Sequence, residues 1–123
     1  MKKLLTNWNK KCYVANKIRI DYDEYDNEIA VYDIPKPYFF NYQPLTGNAL
    51  ISYMQSYGET TQNVVRAFVD IKYLNQFKEF DIAYLYGATP IDEEFNGDNA
   101  NYIIKSYKQQ NTKIMVIFEE IIK

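Results

Sequence analysis

The sequence predicts an all-β or mostly β protein, a small barrel or sandwich of about six strands with a short N-terminal arm and at most one or two short helices. Several segments alternate apolar and polar residues at period two, as half-buried strands do. The chain also contains 13 tyrosines, a residue that favours strands and half-buried surfaces. With 123 residues it can bury one modest core, so residues 1–123 are expected to form a single domain.

The first third of the chain predicts an arm followed by a hairpin. Residues 1–12 are expected to form the arm, and residues 13–121 the β-rich body. The segments KIRIDY and IAVYDI flank the turn-forming run DEYDNE, so residues 17–34 are predicted to be a β-hairpin. Pro35 and Pro37 are expected to end it, because proline cannot donate a ladder hydrogen bond.

The rest of the body predicts one ambiguous segment and three or more strands. In residues 48–57 the apolar spacing fits a helix, but an extended path is equally compatible, and Gly58 should end either one. NVVRAFVDIKYL has apolar residues at every second position from Val65 to Ile71, and DIAYLY is a short apolar run, so both are predicted strands. NYIIKSY and TKIMVIFEEII, joined by residues 108–111, are predicted to form a closing hairpin.

Charge is distributed unevenly, although the net charge is only -2. Residues 1–20 contain six bases and no acid, whereas residues 21–33 contain six acids and no base. This split indicates either a contact between successive copies of the chain or two separate solvated patches. The acidic overall balance argues against nucleic-acid binding through a global basic field.

Composition also argues against an enzyme and against a cofactor. Histidine is absent, which removes the usual general base and the commonest transition-metal ligand. The four glycines are too dispersed for a phosphate-binding loop, and DYDEYDNEI lacks the glycine that a calcium loop needs at its sixth position. We therefore expect no catalytic residue, no metal site and no cofactor.

The expected setting is a reducing compartment. Cys12 is the single cysteine, so the sequence has no pair that could form an internal disulfide. No apolar run reaches the length of a membrane span, and MKKLL is followed by the polar run TNWNKK. We expect a soluble protein, made in a bacterial cytoplasm, with no membrane partner.

Residues 87–100 are predicted to form a projecting loop that docks onto a partner. Gly87 and Pro90 break the strand pattern, and loops of more than about a dozen residues are uncommon in compact domains unless they are functional or disordered. Phe95 stands among acids and amides, so it is either an aromatic anchor at an interface or a side chain that folds back to cap the barrel. The candidate interface residues of the loop are Pro90, Asp92, Glu93, Glu94, Phe95, Asn96, Asp98 and Asn99.

The N-terminal arm is the second candidate interface. Its bases are expected to meet an acidic surface on another copy or another protein, in a contact that weakens with salt. The candidate residues are Lys2, Lys3, Trp8, Lys10 and Lys11.

The segment YMQSYGETTQNVVRAFVDIKYLNQFKEFDIAYLYGATP resembles small neck proteins of tailed bacteriophages, of the head-tail connector or head-closure type. NGDNANYIIKSYKQQNTKIMVIFEEI resembles their closing hairpin, so the likeness covers about residues 53–121. One departure is Phe80, where a glycine before Asp81 would be expected.

The resemblance implies a virion structural protein, built as a small β-barrel or sandwich. Its copies would form a ring in the neck with portal or adaptor and tail proteins as partners, and DNA would pass through without specific binding. Cyclic arrays close through heterologous contacts, and an acidic protomer holds a passing duplex weakly.

Two alternatives remain at the level of sequence. A small acidic domain without a catalytic set also fits a binding inhibitor, either an immunity protein or a DNA mimic. A small metalloenzyme that uses the oxygen ligands of the acidic loop is the second alternative, and it requires bound metal in the purified protein.

Overall fold

The computed structural model describes residues 10–60, 62–90 and 99–121, and these residues are mostly β. The predicted fold class is therefore confirmed, with nine strands in the described ranges rather than about six. The strands are β1 (Lys10–Ala15), β2 (Lys17–Tyr22), β3 (Glu28–Tyr32), β4 (Lys36–Phe40), β5 (Tyr42–Pro44), β6 (Val64–Asp70), β7 (Ile82–Tyr84), β8 (Tyr102–Gln110) and β9 (Lys113–Glu120). The helices are α1 (Gly47–Tyr57) and a short 3-10 helix (Ile71–Tyr73).

Seven strands form one curled antiparallel sheet in the order β4-β1-β7-β8-β9-β6-β5. The two edge strands, β4 and β5, are separated in sequence by a single residue, Asn41. A flat sheet would hold its edges several strand widths apart, so this one-residue connection requires the sheet to curl until its edges meet. We call this curled sheet the barrel.

The barrel interior contains the main core. In β6 the side chains of Val65, Ala67 and Val69 point inward, while Arg66 and Phe68 point outward, as the sequence alternation predicts. Aromatic residues from the edge strands fill the space where the sheet closes, and Phe40 stacks on Phe118 with ring centroids 6.2 Å apart. The fully enclosed members of this core include Cys12, Ala83, Leu85, Ile104, Ile114 and Val116.

Residues 48–57, for which the sequence allowed a helix or an extended path, lie in helix α1. It packs against the outside of the barrel through a small cluster that includes Leu45, Tyr53 and Ile117. The helix ends at Gly58, whose φ of 93° belongs to the left-handed region that glycine tolerates. Neither α1 nor the 3-10 helix, the helices of the described ranges, has the length and apolar composition that a membrane-spanning helix needs.

Strands β2 and β3 form the predicted hairpin, and among the strands of the described ranges they pair only with each other. The hairpin is a second, two-stranded sheet that is mostly exposed, and its apolar residues Ile20 and Tyr22 are 40% and 63% exposed. The period-two pattern that predicted these strands is therefore correct, but within residues 10–60, 62–90 and 99–121 no second layer covers Ile20 and Tyr22.

Three details differ from the sequence prediction. Strand β1 begins at Lys10, inside the range assigned to the arm. The hairpin strand β3 ends at Tyr32, before Pro35, but Pro37 lies within the next strand, β4, which is possible because β4 is an edge strand with one unpaired side. The closing hairpin turns at Asn111 and Thr112, so β8 continues to Gln110, through part of the predicted connection.

The antiparallel register gives the barrel two distinct ends. Lys10 at the start of β1, Tyr84 at the end of β7 and Tyr102 at the start of β8 lie at one end, which we call the arm end. The opposite end, where β1 leads into the β2–β3 hairpin, is called the hairpin end. The turn at Asn111 also lies there.

Candidate functional site

Four of the sequence-predicted interface residues lie in the described ranges: Lys10, Lys11, Pro90 and Asn99. The two lysines and the two ends of the predicted loop all belong to the arm end. The remaining candidates lie outside the described residues; they are Lys2, Lys3, Trp8, Asp92, Glu93, Glu94, Phe95, Asn96 and Asp98.

Lys10 joins the arm end to a cluster of tyrosines. Its Nζ donates a hydrogen bond to the Tyr42 carbonyl oxygen at 3.2 Å and lies 4.5 Å from the centroid of the Tyr42 ring. The same ammonium is 5.8 Å from the ring of Tyr86. The positive charge is thus held over aromatic faces, a favourable arrangement for a cation at a partly exposed site.

The tyrosine cluster fixes the backbone where the predicted loop begins. The hydroxyl of Tyr42 accepts a hydrogen bond from the Tyr86 backbone N–H at 2.7 Å, and the two rings meet edge to face. This contact holds Tyr86 at a φ of 57°, which is unusual for an aromatic residue. Burial, followed by the nearby phenol of Tyr86, raises the pKa of Tyr102 to about 12. The cluster therefore stays neutral at physiological pH.

Asn101 pins the other side of the predicted loop to the barrel. Its side-chain oxygen accepts from the Leu85 N–H at 2.9 Å, and its amide nitrogen donates to the Leu85 carbonyl at 2.8 Å. The side chain therefore pairs with a backbone as another strand would. Asn99 adds a hydrogen bond to the carbonyl of Thr89. Both ends of the loop are consequently held together, whereas residues 91–98, with Phe95, lie outside the described residues.

A cavity of about 630 Å³ opens beside this loop base. Its walls come from the β5–α1 connection and from the ends of β8 and β9, with Leu45 and Val64 as apolar parts. Asn63 and Glu120 form part of its polar side, and the Asn63 amide donates to the Glu120 carboxylate at 3.2 Å. The arm end thus presents cationic, aromatic and concave surface together.

The β2–β3 hairpin itself has the opposite charge. The tip between β2 and β3 contains Asp23, whose carboxylate accepts hydrogen bonds from the backbone N–H groups of Tyr25 and Asn27 at 2.8 and 2.9 Å. The backbone hydrogen bond from Asn27 is the main reason that the pKa of Asp23 lies below its usual value. The Asp23 carboxylate therefore stabilises the turn. The described ranges contain no group of three or more side chains that could bind a metal ion together.

The root of the hairpin is fixed by a buried carboxylate that sequence reasoning did not single out. Asp81 is fully buried and accepts hydrogen bonds from Asn16 Nδ2 at 2.7 Å, Lys17 N at 2.8 Å and Lys78 N at 3.0 Å. Two of these donors belong to the junction between β1 and β2. Asp81 thus holds the hairpin at a defined position relative to the barrel. A lone aspartate between Phe80 and Ile82 offers no sequence signal for this role.

Phe80 stands at the position before Asp81 where a glycine was expected, and its backbone nevertheless forms a tight turn. Its φ of 73° is left-handed, and its backbone N–H donates to the Ile104 carbonyl at 2.9 Å. The side chain is 52% exposed. The turn before Asp81 therefore forms at the cost of backbone strain in Phe80.

The thiol of Cys12 is poorly suited to nucleophilic chemistry. It points into the core, and burial raises its pKa to about 12, so it stays protonated. It donates a weak hydrogen bond to the Tyr38 carbonyl at 3.7 Å. Its position is that of a small core residue.

Comparison with known proteins found no match among protein-family models, curated proteins or solved structures.

Proposed function

We propose that this chain is a virion structural protein of a tailed phage, and that its copies form a ring in the head-tail neck, joining portal to tail around a channel for DNA. It acts by assembly rather than by catalysis, without a cofactor. The observation that supports this most directly is the polarity of the molecule: a cationic, aromatic arm end opposes an acidic hairpin with uncovered apolar residues. A protomer with two different ends suits a layer between two different neighbours.

The arm end is the surface proposed to face a neighbouring neck protein. Lys10 and Lys11 lie exposed there, and both connections of the 87–100 loop emerge beside them. Arm and loop would then act on one partner, and long-range attraction of the lysines would speed its encounter. The resemblance of residues 53–121 to neck proteins gives this partner its expected identity, a portal, adaptor or tail protein.

A specific observation also favours a second candidate function, that of a binding inhibitor. The hairpin projects several carboxylates away from the barrel, among them Asp21, Asp23, Glu24 and Glu28, and an acidic projection can imitate nucleic acid or plug a basic site. The two functions differ in gene context. A gene between capsid and tail genes supports the neck protein, whereas a gene beside a toxin or nuclease supports the inhibitor.

The decisive experiment deletes the gene from the phage and examines the lysate by negative-stain microscopy. The neck proposal predicts DNA-filled or emptied heads beside free tails, with joined particles restored by the gene in trans. Mass spectrometry of purified wild-type virions should detect the protein. Normal joined particles in the deletion lysate, or virions that lack the protein, would overturn the proposal.

A further inference from the structure

We propose that the apolar face of the β2–β3 hairpin docks onto the outer face of β6, β9 and β8 of a second copy of this chain. This inference rests on the proposed ring, because it names the surfaces through which neighbouring copies meet. Both surfaces consist of described residues, and neither belongs to the arm end.

The hairpin supplies the first surface. Residues directly opposite on antiparallel strands point to the same face, and the register pairs Ile20 with Ala30 and Tyr22 with Glu28. Ile20, Ala30 and Tyr22 therefore form an apolar face that ends in a carboxylate. A two-stranded hairpin is only marginally stable in water, and an apolar face that is not buried adds no stability to it. Tyr32 at the hairpin root packs against Ala15 and Ile82, but Ile20 and Tyr22 stay exposed among the described residues, and we assign their cover to a second copy.

The barrel supplies the second surface. The register places Phe68 opposite Met115, and Met115 opposite Lys108, so these three side chains form a row on the outside of the barrel. Phe68 is 47% exposed, although its neighbours in β6 are buried. Beside the row, a groove of about 520 Å³ runs between α1 and the sheet, and Tyr57 and Met115 form part of its walls.

Charge complementarity identifies the occupant as a second copy. The guanidinium of Arg66 lies 5.2 Å from the Phe68 ring, and Lys108 and Lys113 lie on the same outer face. The carboxylate on this part of β6 is Asp70, which accepts a hydrogen bond from the Lys72 N–H at 3.0 Å. An apolar strip with a cationic border thus matches an apolar strip with an acidic border.

The opposite face of the hairpin is less suited to this contact. There Arg19 and Asp21 form an ion pair of 3.0 Å, so its charges already balance each other. Beside them lie Ile29 and Val31. The acids near the apolar face, by contrast, are Glu28 and those of the tip, Asp23, Glu24 and Asp26. The register adds one base, Lys17 opposite Tyr32 at the root, so acids outnumber bases on that face.

The contact is heterologous, because the two surfaces are different parts of the chain. Each docked copy leaves one free hairpin and one free outer face, so the array continues until it closes as a ring. The contact is built from exposed residues and charged borders, so it should be moderate in affinity and weaken as salt increases.

The test uses the full chain in sedimentation-velocity experiments over a range of protein concentrations that reaches the millimolar. The hairpin variant combines Ile20→Ser with Tyr22→Ser, and the outer-face variant combines Phe68→Ser with Lys108→Glu. The matched control is Ile51→Ser on α1, an exposed apolar residue outside both surfaces. Wild-type protein and the control should self-associate, whereas each variant should associate more weakly by about tenfold or more.

Mixing the two variants gives the sharpest result. The outer-face variant keeps its hairpin and the hairpin variant keeps its outer face, so an equimolar mixture should form heterodimers and stop there. Circular dichroism and a cooperative unfolding transition establish that each variant is folded, and Phe68→Ser and Lys108→Glu are also tested singly. A monomeric wild type, a variant that associates normally, or a mixture without dimers would overturn the inference.

The same data separate this inference from the proposed function. If the variants abolish association but virions lack the protein, the neck proposal fails and the copy-to-copy contact stands. If the hairpin variant enters virions and joins heads to tails normally, the contact is wrong and the neck proposal stands.

Discussion

The barrel and the hairpin are both antiparallel β structures, yet they treat their apolar residues in opposite ways. In the barrel, Ile104 is completely buried, whereas in the hairpin Ile20 is 40% exposed. Both residues belong to segments that look like strands in the sequence, so the difference arises from topology. The curled sheet encloses one of its faces, and the two-stranded sheet encloses none. Exposed apolar surface on a projecting element is typical of interaction sites.

The largest expected effect contrasts one isoleucine in each region. Ile104→Ala removes methyl groups from an enclosed core and should lower the free energy of unfolding by about 3 kcal/mol. Ile20→Ala in the hairpin should change it by less than about 0.5 kcal/mol, because the side chain is already partly in water. Urea denaturation of the two variants measures both values. Similar losses in both would remove the distinction between the two regions.

Asp81 connects the two regions, and its loss should cost about 3 kcal/mol. Asp81→Ala leaves the backbone N–H groups of Lys17 and Lys78 without their acceptor at the hairpin root. The matched control is Glu79→Ala, two residues away in the same turn and exposed, which should be nearly neutral. Denaturation curves compare the two, and hydrogen exchange of the hairpin shows whether its root has loosened. Equal stability of both variants would contradict the role of Asp81.

Asn101 at the arm end should contribute about 2 kcal/mol, because Asn101→Ala removes two hydrogen bonds to Leu85. The expected change in thermal unfolding is a lower midpoint with an unchanged hairpin exchange pattern, since Asn101 lies at the end opposite to the hairpin. Asn27→Ala at the hairpin tip provides the comparison and should have a smaller effect. If Asn27→Ala lowered the unfolding midpoint more than Asn101→Ala, the barrel would not be the main source of the stability of the protein.

Phe80→Gly should stabilise the protein by about 1 kcal/mol, because glycine adopts the left-handed φ of this turn without strain. Two terms oppose the gain: the larger backbone entropy of glycine in the unfolded chain, and the Lys17 ammonium 5.8 Å from the Phe80 ring. Glu79→Gly is the control and should be destabilising, since Glu79 has no positive φ. Chemical denaturation distinguishes the two. A loss of stability in Phe80→Gly would show that its side chain matters more than its backbone.

The smallest effect is a dependence on alkaline pH. Burial, followed by the charge of Glu119, raises the pKa of Tyr53 from 10.0 to about 12. The folded protein then holds a proton that the unfolded chain has lost, so the stabilising contribution is complete below pH 10 and is lost as the pH rises to about 12. Tyr53→Phe should flatten this decline, because phenylalanine has no hydroxyl proton to lose. Urea denaturation across this range measures the slope.

The sequence predicts much of this fold because local pattern decides most of it. The alternation in β6, the hairpin at residues 17–34 and the stop at Gly58 each follow from a few neighbouring residues. The curling of the sheet does not follow from neighbouring residues, because it depends on the one-residue connection at Asn41 between the two edge strands. The segment from Lys36 to Pro44 has tyrosines and phenylalanines without a clear period, so its two short strands were missed.

The candidate site was predictable only in part. The basic residues Lys10 and Lys11 and the limits of the loop follow from composition, and the structure places them at one end. The exposure of Ile20 and the burial of Asp81 depend on which elements are covered by others in the fold. A period-two pattern looks the same in a covered strand and in an uncovered one. The chemistry of a surface therefore became visible only once the topology was known.

The central claim, that the hairpin exists for contact between copies, is tested most directly by hydrogen exchange measured on the monomer and on the associated protein. In the monomer, the β2–β3 amides should exchange much faster than those of β8 and β9, because most residues of the hairpin are exposed. On association the hairpin amides should become protected, and the Phe68→Ser variant should show no such change at the same concentration. Hairpin amides that are as protected as the barrel in the monomer, or that stay unprotected in the associated protein, would contradict the account.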